Sequence, residues 1–216
     1  MFHFQYCSDR LLRRWTTRAL ISAEPGERVL DLGAGRSPYR QFRSDLRWTT
    51  ADVDSSCNPD FLLEEGEPLP FPDDSFDVVL CTQVLEHAAE PASLALELKR
   101  VVRPSGLLLI NVPFLYPRHG SPVDYRRYTP EGLADLLGVK PTAVACLGGI
   151  GSTVALNLNT FPMSMAWSRK TWAVLVGLGL PIQLVFSVTL NSLGLLADAL
   201  DRTQTFPLHT AAAIRV

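Results

Sequence analysis

The run Arg-Val-Leu-Asp-Leu-Gly-Ala-Gly at 28–35 constrains the fold more than any other stretch of the chain. Val29, Leu30 and Leu32 make a short apolar strand that stops at Gly33 and Gly35. A backbone that turns so abruptly needs residues free of a Cβ, which also lets a ligand approach closely. The helix expected from about 38 would aim its N-terminus at whatever lies beyond the strand tip, an arrangement suited to a carboxylate or another anion. Asp31, at the strand end, suits a cation or a hydroxyl.

The rest of the sequence repeats this alternation. Strands are expected at 47–53, 60–63, 76–82, 107–112, 139–147 and 206–216, and helices at 8–23, 91–102 and 130–137. Thr129 and Pro130 supply an N-cap and an N1 proline for the last helix. Strands separated by helices imply a mainly parallel, seven-stranded, doubly wound α/β sheet.

At 216 residues and 47% hydrophobic composition, the chain suffices for a single domain with a sizeable core. Within it we read an N-terminal helical cap (1–27), a nucleotide-binding core (28–147), an apolar helical hairpin (162–203) and a final strand (206–216). A net charge of −2 argues against a general nucleic-acid binder. Cys7, Cys57, Cys81 and Cys146 are scattered, without metal-ligand or disulfide-framework spacing, so buried thiols in a reducing, cytoplasmic setting are expected. The first seven residues lack the pattern of a secretory leader.

Two nucleotide chemistries compete for the glycine turn. A dinucleotide fingerprint requires a third glycine, and Pro38 stands there, which disfavours a nicotinamide-dependent oxidoreductase. Asp-x-Gly-x-Gly at 31–35 instead resembles motif I of class I S-adenosylmethionine-dependent methyltransferases, with Ser37 where many members carry a further glycine. The run 69–80 (Leu-Pro-Phe-Pro-Asp-Asp-Ser-Phe-Asp-Val-Val-Leu), Val84-Leu85-Glu86-His87 and 98–110 resemble later elements of the small-molecule branch of that family, methyltransferase domain 11-like. Ser105 replaces a glycine in the last of these. The resemblance implies a Rossmann-like fold with S-adenosyl-L-methionine as cofactor. It assigns Gly33, Gly35 and Asp31 to the cofactor turn and Asp52, with Asp54 as the alternative, to the ribose diol. Glu64, or Glu65, would meet the adenine amino group, and Thr82 and Gln83 the methionine portion.

The acceptor should lie past the carboxyl ends of the fourth and fifth strands. The segment 113–129 there is dense in polar, aromatic and proline residues, and resembles a His-Gly-x-Pro-x-Asp-Tyr-x-Arg-Tyr-Thr pattern of one subgroup. His119 is the first candidate base, with Asp124 to orient it or bind substrate. Arg126 and Arg127 suit either substrate contact or ion pairs, and His87 suits a brace for the fourth-strand loop. No residues have metal-ligand spacing, so no metal is expected.

Residues 171–197 carry no charge. Pro181 is expected to divide the segment into two arms, each too short to span a bilayer. A final strand that must return to the same sheet also opposes a single crossing. Such a hairpin suits an apolar lid, a peripheral membrane contact through 171–200 beside Arg169 and Lys170, or a homodimer interface. A small-molecule, lipid-linked or saccharide acceptor follows from the whole, against an inactive cofactor-binding scaffold as the rival from another class.

Overall fold

The computed structural model describes residues 5–119, 123–164 and 169–216, with backbone alone at 161–164 and 169–183. Gly120, Ser121 and Pro122 of the expected acceptor loop lie outside the described residues. The chain forms two compact units. Of the described residues, one comprises 13–114, 118–119, 123–145 and 210–216, and the other 5–12, 115–117, 146–164 and 169–209.

The sheet has seven strands: β1 (Arg28–Leu32), β2 (Arg47–Asp52), β3 (Phe61–Leu62), β4 (Phe76–Thr82), β5 (Val102–Pro113), β6 (Val144–Leu147) and β7 (His209–Arg215). Their order is β3-β2-β1-β4-β5-β7-β6. β1 pairs in parallel with β2 and β4, and β4 with β5. Ser105 and Gly106 at the start of β5 exchange backbone hydrogen bonds with Val216, just past the end of β7, so β7 runs opposite to β5. The expected mainly parallel doubly wound sheet is thus present. Its order reverses between β1 and β4, where such sheets leave a crevice at their carboxyl edge.

Alternation along the strands builds two cores. Leu30, Leu32, Val79, Cys81, Leu108 and Ile110 face one layer with α2 (Pro91–Val101) and α3 (Pro130–Leu137), through Leu98, Val101, Leu133 and Leu137. Val29, Val78, Leu80, Leu107 and Leu109 face the other, covered by Leu20, Ala23 and Tyr39. Thr129 caps α3 by accepting the Gly132 N–H, and Gly138 ends it in the left-handed conformation. Arg100 of α2 donates to the carbonyls of Leu69 and Phe71 and to Asp73 and Glu97, clamping the proline-rich loop that leads into β4.

Several elements differ from expectation. No α-helix follows the glycine turn: a single 3-10 turn, Arg40–Phe42, occupies the short link to β2. Ser37 has φ +44° and Tyr39 is buried in the core, so this link is spent on a turn and a packing contact. The anion-binding helix terminus anticipated there is absent. The strand expected at 139–147 is shortened by a 3-10 turn at Pro141–Ala143, and the last strand begins at His209 rather than 206.

The other unit is built on α4 (Ile150–Ser164) and α5 (Arg169–Leu200), with the start of α1 (Tyr6–Ala19). The hairpin expected at 162–203, broken at Pro181, is corrected: α5 runs through 181 as one helix, and its antiparallel partner is α4. An interior proline forfeits one backbone hydrogen bond without obliging the helix to end. The seam lies where two glycines meet, since a Cβ on Gly151 would come within 2.2 Å of the Gly194 carbonyl oxygen. Asn159 donates to Asn191, and Asp198 and Asp201 cap α4 by accepting the Ser152 and Ile150 N–H groups. Among the described residues, no helix is long and apolar enough to cross a membrane.

Candidate active site

The cofactor end begins at the tip of β1. Gly33 and Gly35 have φ +64° and +51°, the region that a Cβ disfavours. A Cβ on Gly33 would lie 2.3 Å from Val84 Cγ2, whereas one on Gly35 would meet nothing within 4 Å. The first glycine therefore packs against the β4 loop, and the second faces open space. Asp52, at the end of β2, accepts the Gly35 N–H through Oδ2 at 2.8 Å and the Asp54 N–H through Oδ1 at 3.0 Å. It thereby fixes the shape of the glycine turn and keeps lone pairs for a further donor. Asp54 instead caps a 3-10 turn by accepting the Ser56 N–H, and is exposed.

Asp31 is 1% exposed, and among the described residues its side chain accepts a hydrogen bond from Ser37 Oγ at 2.7 Å. Burial pushes its carboxyl up to about 7, opposed by Ser37 and reinforced by the charge of Asp52. A buried acid short of a counter-charge fits the ammonium of a methionine group, and the open flank of Gly35 fits a nucleoside. The chemistry of these residues is thus compatible with S-adenosylmethionine. Glu64 is exposed beyond β3, close in chain to Leu63, whose N–H donates to the Asp52 carbonyl. Thr82 ends β4 opposite Asn111, and Gln83, with φ +56°, donates its amide to the Asn111 side chain at 3.0 Å.

The second half of the site lies in the loops after β4 and β5. Tyr125 N–H donates to the Glu86 carbonyl, and Arg126 to the carbonyls of Ala88 and Ala89. His87 Nδ1 lies 2.8 Å from the Val123 carbonyl oxygen. These bonds tie Val123, Tyr125 and Arg126 to the stretch 86–89. Arg127 pairs with Asp124 and holds its carboxyl well below the usual carboxylate range. Asp124 in turn accepts the His119 main-chain N–H at 2.9 Å, and its Oδ2 lies 3.4 Å from His119 Nδ1. His119 and Asp124 are thus brought side by side. His119 does not stand alone, however: its Nε2 lies 3.3 Å from His87 Nε2 and 3.7 Å from Glu86 Oε1.

Glu86 is the residue that sequence reasoning passed over as part of a motif. It is fully buried, and among the described residues neither carboxylate oxygen has a hydrogen-bond partner. Burial pushes its carboxyl up to about 8. The available signal was a glutamate followed by a histidine at the carboxyl end of a strand otherwise apolar in its core.

Comparison with known proteins accords with this architecture. Residues 30–110 match the family described as "Methyltransferase domain". The chain is 31% identical over 121 residues to a demethylmenaquinone methyltransferase of Renibacterium salmoninarum, covering 50% of this chain and 51% of that protein. It is 36% identical over 113 residues to one of Beutenbergia cavernae, covering 47% of each. The chain thus spans about half the length of the curated relatives it matches. The crystal structure of the [4+2]-cyclase SpnF aligns over 94% of this chain and 80% of its own, with a TM-score of 0.58 and 18% identity, a likeness of fold alone. Sheet order, glycine turn, strand-end acids and the match over residues 30–110 converge: this part of the chain is similar to a methyltransferase domain of Rossmann-like fold.

Proposed function

We propose that this chain transfers the methyl group of S-adenosylmethionine to a small-molecule acceptor seated against the loops after β4 and β5. The observation that carries the reading is one juxtaposition. The Gly33 turn, where the cofactor would lie, packs directly on Val84, two residues before the buried Glu86. Asp52 would take the ribose, Asp31 the methionine ammonium, and the open side of Gly35 the approach of the nucleoside. Glu64 and Thr82 would flank the adenine and the methionine chain. The bound cofactor supplies an electrophilic methyl on a sulfonium. The protein's part is to hold the acceptor in line with it, and such positioning is worth up to about 7–11 kcal/mol.

On the acceptor side, His119 and Asp124 belong to a group with Glu86 and His87. Both nitrogens of the His119 ring face charged or polar side chains, so the pair works with that group rather than as a lone base. The relatives' names speak of demethylmenaquinone, which favours an apolar acceptor with a ring oxygen over a saccharide. Exposed Val185, Leu193, Leu196 and Leu200 on α5 agree with a peripheral membrane contact or a second copy, distinguished by vesicle flotation and light scattering.

Isothermal titration with S-adenosylhomocysteine and NADH tests the cofactor, and binding of NADH alone overturns the reading. Methyl release to a panel containing demethylated quinols, lipid-linked intermediates and sugars then tests the activity. Tight cofactor binding with no transfer to any of them would make the chain an inactive scaffold.

A further inference from the structure

The carboxyl end of β4 gathers an electron-rich triangle: Glu86 Oε1, His87 Nε2 and His119 Nε2. Its edges are 3.8 Å (Glu86 to His87), 3.7 Å (Glu86 to His119) and 3.3 Å (His87 to His119). Three such atoms lie within reach of one ion. Each nitrogen is aimed there by a partner on the opposite side of its ring. A carbonyl only accepts, so the 2.8 Å contact with Val123 requires a proton on His87 Nδ1. That leaves neutral His87 with a bare lone pair on Nε2. For His119, the Asp124 carboxylate beside Nδ1 favours the same tautomer. Two imidazole nitrogens and a carboxylate oxygen thus converge on one point, where a bound cation would replace the hydrogen bond between the two rings.

We infer that Glu86, His87 and His119 form a binding site for a divalent cation of the zinc type. A point in the centre of the triangle lies about 2.1 Å from all three atoms, matching typical zinc–imidazole and zinc–carboxylate distances of about 2.0–2.2 Å. Two histidines and one carboxylate with further positions open make a donor set that catalytic zinc sites use. Behind the ligands stands the support such sites employ: a carbonyl on one imidazole and an Arg127-paired carboxylate on the other. Glu86 is fully buried and neither carboxylate oxygen has a hydrogen-bond partner among the described residues, and the ion would supply one. Sequence spacing conceals the site because His119 lies 32 residues beyond His87.

The ligand triangle stands without the methyl-transfer reading, whereas the ion's use rests on it. Open coordination positions at this end of β4 would receive an oxygen of the acceptor and orient it towards the methyl. An acceptor bearing a hydroxyl or adjacent ring oxygens would gain most.

The test is direct binding. Chelator-treated, refolded protein is titrated with Zn²⁺ by calorimetry, and Co²⁺ is added separately to record its visible absorption. One equivalent is expected, with cobalt bands of a four- or five-coordinate nitrogen/oxygen site. His119→Gln and Glu86→Gln should weaken zinc affinity at least tenfold, with unchanged circular dichroism and unchanged S-adenosylhomocysteine binding. Absence of stoichiometric zinc binding by the wild-type protein overturns the inference, whatever the variants do. So does a cobalt spectrum dominated by thiolate bands, or zinc affinity untouched in well-folded variants. Loss of S-adenosylhomocysteine binding would instead strike at the cofactor reading, so the two failures are separable.

Discussion

Replacing Asp31 by asparagine separates the cost of burying a carboxylate from its use. Its folded-state pKa stands at about 7, against an ordinary value of 3.8. The native state therefore holds the proton more tightly than the unfolded chain. The stability this contributes is fully present below pH 3.8 and is lost as pH rises through the folded value. At about 1.36 kcal/mol per unit the full difference is slightly above 4 kcal/mol, and water penetration reduces it to roughly 2 kcal/mol. Asp31→Asn keeps an acceptor for Ser37 and removes the charge. At pH 8 the ligand-free variant should melt about 4–8 °C above wild type, given about 2–4 °C per kcal/mol for a chain of this size. The advantage should fall by more than half at pH 5 and vanish below the unfolded pKa. The same variant should bind S-adenosylhomocysteine at least tenfold more weakly, because the ammonium loses its carboxylate. Differential scanning fluorimetry across pH, with calorimetry for the ligand, reads both. A melting difference that is independent of pH, or a variant less stable at pH 8, would refute the burial argument. Higher stability with unchanged ligand affinity would remove Asp31 from the cofactor site.

Three further outcomes follow from the packing. Asp52→Asn should weaken S-adenosylhomocysteine by about ten- to a hundredfold in calorimetry, since the Gly35 N–H and the ribose lose a charged acceptor worth about 1.5–3 kcal/mol. Gly33→Ala should cost about 2 kcal/mol or more in urea unfolding, from the positive φ and the clash with Val84; adding Val84→Ala should recover part of it. Gly151→Val should destabilise the α4–α5 pair by about 1–3 kcal/mol, seen as earlier proteolysis of that unit, because the Gly194 carbonyl has no room to withdraw.

Much of the sheet was legible because its strands are short apolar runs ended by glycine, proline or acids. Phe76–Thr82 is expected and found with those bounds, and α3 is announced by Thr129, Pro130 and Gly138. The missing helix after Gly35 was not legible, since Pro38 reads equally well as a helix start and as part of a turn. Helix α4 was hidden for another reason. Its seam depends on Gly151 meeting Gly194, a pairing across distant residues that no local period records. The placement of Gly33, Gly35, Asp31 and Asp52 at neighbouring strand ends could be read from one motif and the next strand end. Glu86 could not, because its importance lies in burial without a partner, a property that only the folded chain displays.

The contact between Gly33 and Val84 couples two events that chemistry would keep apart. An adenosyl group bound at this turn would press against Val84, which begins the loop that ends in Glu86 and His87. Loading the nucleoside first should therefore tighten the grip on the second substrate, imposing a compulsory order of addition without any moving lid.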